Sequence, residues 1–376
     1  MDRGVIVSGG RHVRVLRPGQ LGAEETESWR ELRVTSGAIR NPFMEPEFAV
    51  ALGQVRPRAR VAVIEERRGA SGGADDRGIV GFLPFERNVW GGGRALGLGV
   101  SDLQGAVLRP GTALGGEELL RACSLNSFTF DNLEDGQTLF ADHCADAYPS
   151  YVIDVADGYP AYLEDLRRRS PKFLRTTLAK ERRLGRQVGE VRFVFDERDP
   201  RALETLMAWK SAQYRRTGRR DRFAQEWISR LVRRLAVTRA RECAGVLSVL
   251  YAADRPVAAH FGLRSSTVLA CWFPAYEPEL AKYSPGLVLH LRMAEAAAAA
   301  GIGLLDMGRG AAEYKDALKT GELRVHEGTV IRPGAGAALH WLGREPARRA
   351  QGFVRSRPRL ASLASRSLKA AGRLRG

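Results

Sequence analysis

Apolar residues follow two rhythms along the chain. In "EETESWRELRVTSGA", "RALETLMAWKSAQYRR" and "AQEWISRLVRRLAV" they recur at helical spacing among charged positions. In "RHVRVLRP", "ARVAVIEE", "GIVGFLPFERN" and "EVRFVFD" they cluster or alternate as strands do. The run "AGVLSVLYAADRPVAAHFGLRSSTVLACWFPAY" reads as strands joined by the short polar turn "AADRP". Pro171 divides "YPAYLEDLRRRSPKFLRTTLAKERRLGRQ" into two helices, with Ser170 as the expected N-cap. Asp199-Pro200 opens the next helix.

Both halves thus present helices first and a hairpin of strands afterwards, which predicts two similar α/β units packed side by side. The expected fold class is α/β (α+β), two tandem units, each a mixed, largely antiparallel sheet flanked by helices. Expected boundaries are 1–150 for the first unit, 151–335 for the second and 336–376 for a basic tail.

The second unit contains a corner, "YSPGLVLHLRMAEAAAAAG", where a strand gives way to an alanine-rich helix. Ser284 can cap that helix, Pro285 presets its first φ, and Gly286 leaves the backbone approachable. Bare amides at a helix start suit a phosphate; a purely structural helix start is the alternative. Pro274 in the preceding strand implies an edge or a bulge, where pairing breaks and a groove opens. Beyond the helix, "LLDMGRGAAEYKDALKTG" places Asp306 at a strand end, Arg309 between Gly308 and Gly310, and Tyr314 and Lys315 on a short helix. Open α/β sheets hold ligands at such strand ends.

Further candidates come from the same unit. Strand alternation puts His260 on a polar face with Ala258, Gly262 and Arg264, as a base or as an ordinary surface histidine. Tyr276 and Tyr283 could protonate a leaving thiolate or simply pack. Lys210, Gln213 and Tyr214 share a helical face in "KSAQYRRTGRRDRF". Arginines then surround a turn containing Asp221, as an anion site or a solvated loop.

Composition narrows the setting. The 376 residues are 44% hydrophobic and carry net charge +16, which suits a globular protein with two cores. Residues 344–376 hold ten Lys/Arg against Glu345 alone, more than half of that excess. Such an arm fits an anionic lipid surface or RNA, or a solvated extension. No apolar run is long enough to span a bilayer, and "MDRGVIVSGGRHVRV" lacks the apolar stretch of a secretory signal. The expectation is a cytoplasmic protein, with the tail touching the inner membrane face. Cys123, Cys144, Cys243 and Cys271 are widely spaced and should be reduced; Asp142-His143-Cys144 lacks a second ligand cluster, so no metal is expected.

The stretch "VLACWFPAYEPELAKYSPGLVLHLRMAEAA" with "LLDMGRGAAEYKDALKTG" resembles the GNAT-type acyltransferase domain of the CelD-like group, linked to cellulose biosynthesis. "LMAWKSAQYRRTGRRDRF", "VGFLPFERN" and "GLGVSDLQG" share the likeness, which spans about residues 10–332. FemAB-like enzymes, which pair two such folds and use aminoacyl-tRNA, are relatives. The resemblance implies a cofactor strand at 267–276, a pyrophosphate loop at 281–286 and a following helix at 287–300. On the residues' own chemistry, the candidate cofactor contacts are Tyr283, Ser284, Pro285, Gly286, Leu287, Arg309 and Lys315, and the candidate catalytic residues His260, Tyr276 and Asp306. Substrate contacts fall to Lys210, Gln213, Tyr214, Asp221, Trp272 and Tyr314. The loop departs from the basic, glycine-rich family form, and Ala311-Ala312 stand where an acid often follows "GRG".

The leading expectation is an N-acyltransferase moving an acetyl or longer acyl group from acyl-CoA to an amine of a small molecule or glycan precursor. Two others stand beside it: an aminoacyl-tRNA-dependent transferase, and an inactive scaffold of the same fold.

Overall fold

The computed structural model describes residues 5–7, 10–67 and 77–332. The basic tail and most of the loop "RRGASGGADDRG" lie outside the described residues. The first half opens with β1 (Val5–Val7), β2 (Arg11–Leu16), α1 (Ala23–Thr35) and α2 (Pro46–Gly53). A hairpin of β3 (Ala59–Arg67) and β4 (Arg77–Arg87) follows, then β5 (Gly92–Ala95) and β6 (Val107–Leu108). Helix α3 (Gly116–Ala122) leads to β7 (Ser127–Glu134) and β8 (Cys144–Asp154).

In the second half, α4 (Tyr159–Arg169) and α5 (Pro171–Gln187) precede β9 (Val191–Val194). Pro171 separates the two helices as expected, but the Ser170 side chain makes no capping bond. Asp199 does cap α6 (Pro200–Arg216), accepting from the Arg201 amide. Helix α7 (Glu226–Ala236) then feeds the antiparallel strands β10 (Ala244–Ala252), β11 (Arg255–Arg264) and β12 (Val268–Tyr276). Helix α8 (Pro285–Ala299), β13 (Leu304–Arg309), α9 (Glu313–Leu318) and β14 (Gly321–Ile331) complete the described fold.

All fourteen strands join one sheet in the order β1-β2-β3-β4-β5-β7-β14-β8-β13-β12-β11-β10-β9, with β6 on the side of β4. It comprises two tandem α/β units, each a mixed, largely antiparallel sheet flanked by helices. Each half owns one parallel pair bridged by a helix: β5 with β7 around α3, and β12 with β13 around α8. The last strand, β14, does not stay with the second half. It inserts between β7 and β8 and sews the halves into one ladder.

Packing joins the halves as well. One apolar cluster takes Trp29, Phe43 and Phe48 from the first half and Leu206, Ile228, Phe261 and Trp272 from the second. The Phe43 ring meets Phe48 and Trp272 edge-on, with centroids 5.0 and 5.1 Å away. Aromatic burial of this size dominates such interfaces. Phe43→Ala should cost about 3–5 kcal/mol by urea unfolding. Because the lost ring ties the halves together, the single unfolding transition should also broaden or split.

Candidate active site

Strands β12 and β13 pair only through Val268–Leu304, Leu269–Leu305 and Ala270–Asp306, then part company. Past that point β12 bulges against β11 between Phe261 and Gly262, and β13 turns to pair with β8. Separated strands leave backbone groups without a ladder partner, and a cleft of about 750 Å³ opens between them. Its walls carry Lys210, Gln213 and Tyr214 from α6, Trp272 and Tyr276 from β12, and Ser284, Gly286 and Leu287 at the start of α8. Arg309, Tyr314 and Lys315 close the other side.

Charge in this cleft is one-sided. Lys210, Arg219, Arg220, Arg222, Arg309 and Lys315 line it, against the single carboxylate of Asp102. Burial, helped by Arg219, Arg222 and Lys315 nearby, lowers the Lys210 ammonium to about 8. Its Nζ donates to the Pro274 carbonyl at 2.9 Å, an acceptor on the strand stretch that β13 has left. Asp221 stays out of the cleft. It accepts from Ser211, from Arg215 at 3.1 Å and from the Phe223 amide at 3.0 Å, folding the loop that presents the arginines.

The corner itself is built differently from the sequence expectation. Ser284 takes a left-handed φ of 49°, and its hydroxyl caps nothing; it accepts from Lys180 Nζ at 2.7 Å. A serine in that conformation cannot also reach the amides of the next turn, so the cap is lost and a cation is gained. Pro285 is buried at the first helical position, and Tyr283 is buried with its hydroxyl donating to Gln187. Neither lines the cleft. Gly286 does, and a Cβ there would meet only Tyr276 Cδ1 at 3.5 Å, so the helix start is open to a ligand.

His260 is fully buried rather than on a roomy polar face, because α8 covers that side of β11. Its Nε2 accepts from the Trp272 amide at 3.1 Å, satisfying the N–H that the bulge strands. Burial, with His290 and Lys210 nearby, holds it well below the ordinary histidine range, so it stays neutral. His260 shapes the cleft and does not touch it. Asp306 is likewise buried behind the wall. It accepts from Ser150 Oγ at 2.7 Å, from the Gly308 amide at 2.9 Å and from Asn41 Nδ2 at 3.1 Å. With that set of donors it fixes the "GRG" turn and does not contact Arg309. The Arg309 guanidinium lies 3.5 Å over the Tyr148 ring and donates to the Asp131 carbonyl and Glu327. Trp272, though at the cleft, gives its indole N–H to the Val100 carbonyl at 2.8 Å and packs between the halves.

Sequence reasoning missed Asp102 and His290. Asp102 comes from the first half, at the end of "GLGVSD", and crosses to the cleft of the second. A Cβ on Gly308, whose φ is +75°, would lie 3.0 Å from Asp102 Oδ2. Desolvation first, and then the Asp306 carboxylate, push Asp102 up to about 7, with Lys315 and Arg222 opposing. His290 lines the same cleft with Nδ1 2.7 Å from the Gly286 carbonyl. A carbonyl can only accept, so Nδ1 holds the proton and Nε2 keeps its lone pair. Burial lowers this histidine, leaving it neutral. The available signals were an acid after a glycine-rich turn and an imidazole among the apolar residues at the start of α8.

Gln104 holds Asp102 in place. Its side chain donates to Asp131 Oδ1 at 2.6 Å and accepts from the Asp131 amide at 3.1 Å. Its own amide donates to the Asn132 carbonyl at 2.8 Å, and its carbonyl accepts from Glu134. Asp131 also accepts from the Gly99 amide at 2.9 Å. These bonds stitch residues 99–104 along β7, where the first half's own parallel pair, β5 and β7, would otherwise diverge. Residues 99–104 thus lie along β7, and Asp102 from that segment lines the second half's cleft.

The cleft is thus cationic, lies between parting parallel strands, and sets an open helix start near a carboxyl raised toward neutrality. Residues 172–316 match the model of the acetyltransferase (GNAT) domain. Among solved structures, FemX is similar at TM-score 0.55 and 10% identity, covering 88% of this chain and 99% of FemX. The C-terminal domain (DUF2156) of a putative lysylphosphatidylglycerol synthetase from Agrobacterium fabrum gives TM-score 0.50 and 12% identity, covering 85% and 95%. A tandem GNAT protein from the clavulanic acid biosynthesis pathway follows at TM-score 0.48 and 14% identity, covering 86% and 99%. At these identities the likeness is one of fold. A comparison with curated proteins gives no significant match.

Two outcomes test the geometry. His260→Leu should cost about 1–3 kcal/mol in denaturant unfolding, since the Trp272 amide is left buried and unpaired. Gln104→Ala should move the pKa assigned to Asp102 in a pH–rate profile while leaving donor affinity nearly unchanged; a purely structural Gln104 would not shift that pKa.

Proposed function

We propose that the protein is an N-acyltransferase that takes an acyl group from acyl-CoA and places it on an amine. The observation that carries this reading is the Asp102 carboxyl, raised to about 7 inside the cationic cleft. A base poised near the working pH is what amine deprotonation needs. Asp102 accepts the amine proton as the nitrogen attacks the thioester carbonyl. The C–N bond forms and the C–S bond breaks. The Tyr314 hydroxyl, held protonated with its pKa pushed up to about 12 by burial, supplies the thiolate proton, with Tyr276 on the facing wall as its alternative. Lys210 and the arginines of the loop after α6 hold negative charge on the donor.

The helix start supports the acyl-CoA reading. Lys180 at Ser284 and the open Gly286 lie where a pyrophosphate would meet the positive end of α8. A groove of about 560 Å³ runs from Leu287 along Phe173 and Thr177 and carries three cations, Lys180, Lys172 and Arg169. That continuation also favours a second reading, in which the donor is the charged end of an aminoacyl-tRNA. The acceptor would be a small amine or a glycan precursor, the latter following the CelD-like resemblance.

Asp102→Asn should lower kcat/KM about 10²–10⁴-fold. In the parent protein, activity should rise with pH through about 7 as Asp102 ionises, and fall above about 8 as Lys210 loses its charge. The acid limb should vanish in Asp102→Asn. By calorimetry, acetyl-CoA or a longer acyl-CoA should bind saturably, and Gly286→Trp should abolish it. Absence of acyl-CoA binding, together with steeply salt-dependent tRNA binding, would favour the second reading.

A further inference from the structure

Two lysines, Lys210 and Lys315, line the cleft, and they are held differently. Lys315 is buried, and its Nζ donates to the Gly308 carbonyl at 2.8 Å and the Arg309 carbonyl at 3.3 Å. Burial lowers this ammonium, but the carboxylates of Asp102 and Asp306 oppose that shift and help it keep its proton.

Lys210 is surrounded otherwise. The charges that act on it are cations: Arg219 and Arg222 from the loop after α6, and Lys315 from α9. His260 of β11 and His290 of α8 are also near, and both are neutral. Tyr214, on the same helix, places its ring centroid 5.4 Å from the Lys210 Nζ. Asp102 is the one carboxyl lining the cleft, and it is itself raised toward neutrality. Desolvation and like charge both favour the free amine, the setting that makes a lysine nucleophilic. The Nζ donates to the Pro274 carbonyl at 2.9 Å. A free amine has two N–H bonds and one lone pair. The carbonyl can take only an N–H, so the lone pair is left for an electrophile in the cleft.

We propose that Lys210 is a self-acylation site, modified by the acyl-CoA held in its own cleft; the proposal rests on the acyl-CoA reading of the donor. The ammonium first gives a proton to solvent. The free Nζ attacks the thioester carbonyl, the C–N bond forms and the C–S bond breaks. The proton shed by the nitrogen ends on the departing thiolate, so the products are an amide at Lys210 and free CoA. An amide carries no charge, and the cleft thereby loses one of the cations that hold the donor. Transfer to an external amine thus competes with a modification that weakens donor binding and is favoured at alkaline pH.

After incubation of the full chain with acetyl-CoA, peptide mass spectrometry should find acetyl on Lys210 ahead of the exposed Lys172 and Lys282, with Lys315 unmodified. The rate should rise about tenfold per pH unit up to about 8 and level off above it. Gly286→Trp, which closes the helix start to the donor, should abolish the modification. The acetylated chain should bind acetyl-CoA about tenfold more weakly by calorimetry. Saturable acetyl-CoA binding with Lys210 left unmodified would overturn the proposal while the acyl-CoA reading stands. So would acetyl spread evenly over the exposed lysines and unaffected by Gly286→Trp. No binding of acetyl-CoA at all would overturn both.

Discussion

The Gln104 side chain, bridging Asp131 and the backbone of β7, is the contact on which the site depends. In each half the parallel pair bridged by a helix makes only three ladder pairs. Whatever fills the divergence decides whether the unit has a cleft. In the first half, residues 99–104 fill it, using a primary amide that can donate and accept at once. In the second half no described residue fills it, and a cleft opens there. The cleft that gathers the candidate residues thus lies in the second half.

The plug also ties the two halves together at the cleft. Two residues before Gln104, Asp102 leaves the first half and enters the second half's cleft, where the Gly308 turn leaves just enough room for its carboxyl. Asn41 makes a parallel crossing to hold Asp306, and Arg309 makes the return crossing to Asp131. These polar links lie beside the apolar seal of Phe43, Phe48 and Trp272. Low dielectric strengthens each of them and raises the cost of leaving any one unpaired. The same desolvation lifts Asp102 toward neutrality and lowers Lys210, so one cause shifts both groups.

Several sequence expectations met a different physical use. His260 was legible as a special histidine, but alternation could not show that α8 covers its face. Its imidazole satisfies a stranded amide instead of a substrate. Ser284 was legible at a helix start; its left-handed backbone turned the hydroxyl from the helix toward Lys180. Lys210, Gln213, Tyr214, Tyr276, Gly286, Tyr314 and Lys315 do converge on one cleft, because helix and strand periodicity fixed their faces and the strand split gathered them.

The sequence by itself determined the elements, their order, the two-unit plan and the location of the cleft, since these follow from periodicity, proline and glycine over short windows. Tertiary structure decided which acid serves it. Asp102 is about two hundred residues from the strand it faces, and no local pattern encodes a crossing made by β14 insertion and the Gln104 plug. A pKa is likewise a property of surroundings, so neither Asp102 nor His290 could be singled out before the fold desolvated them.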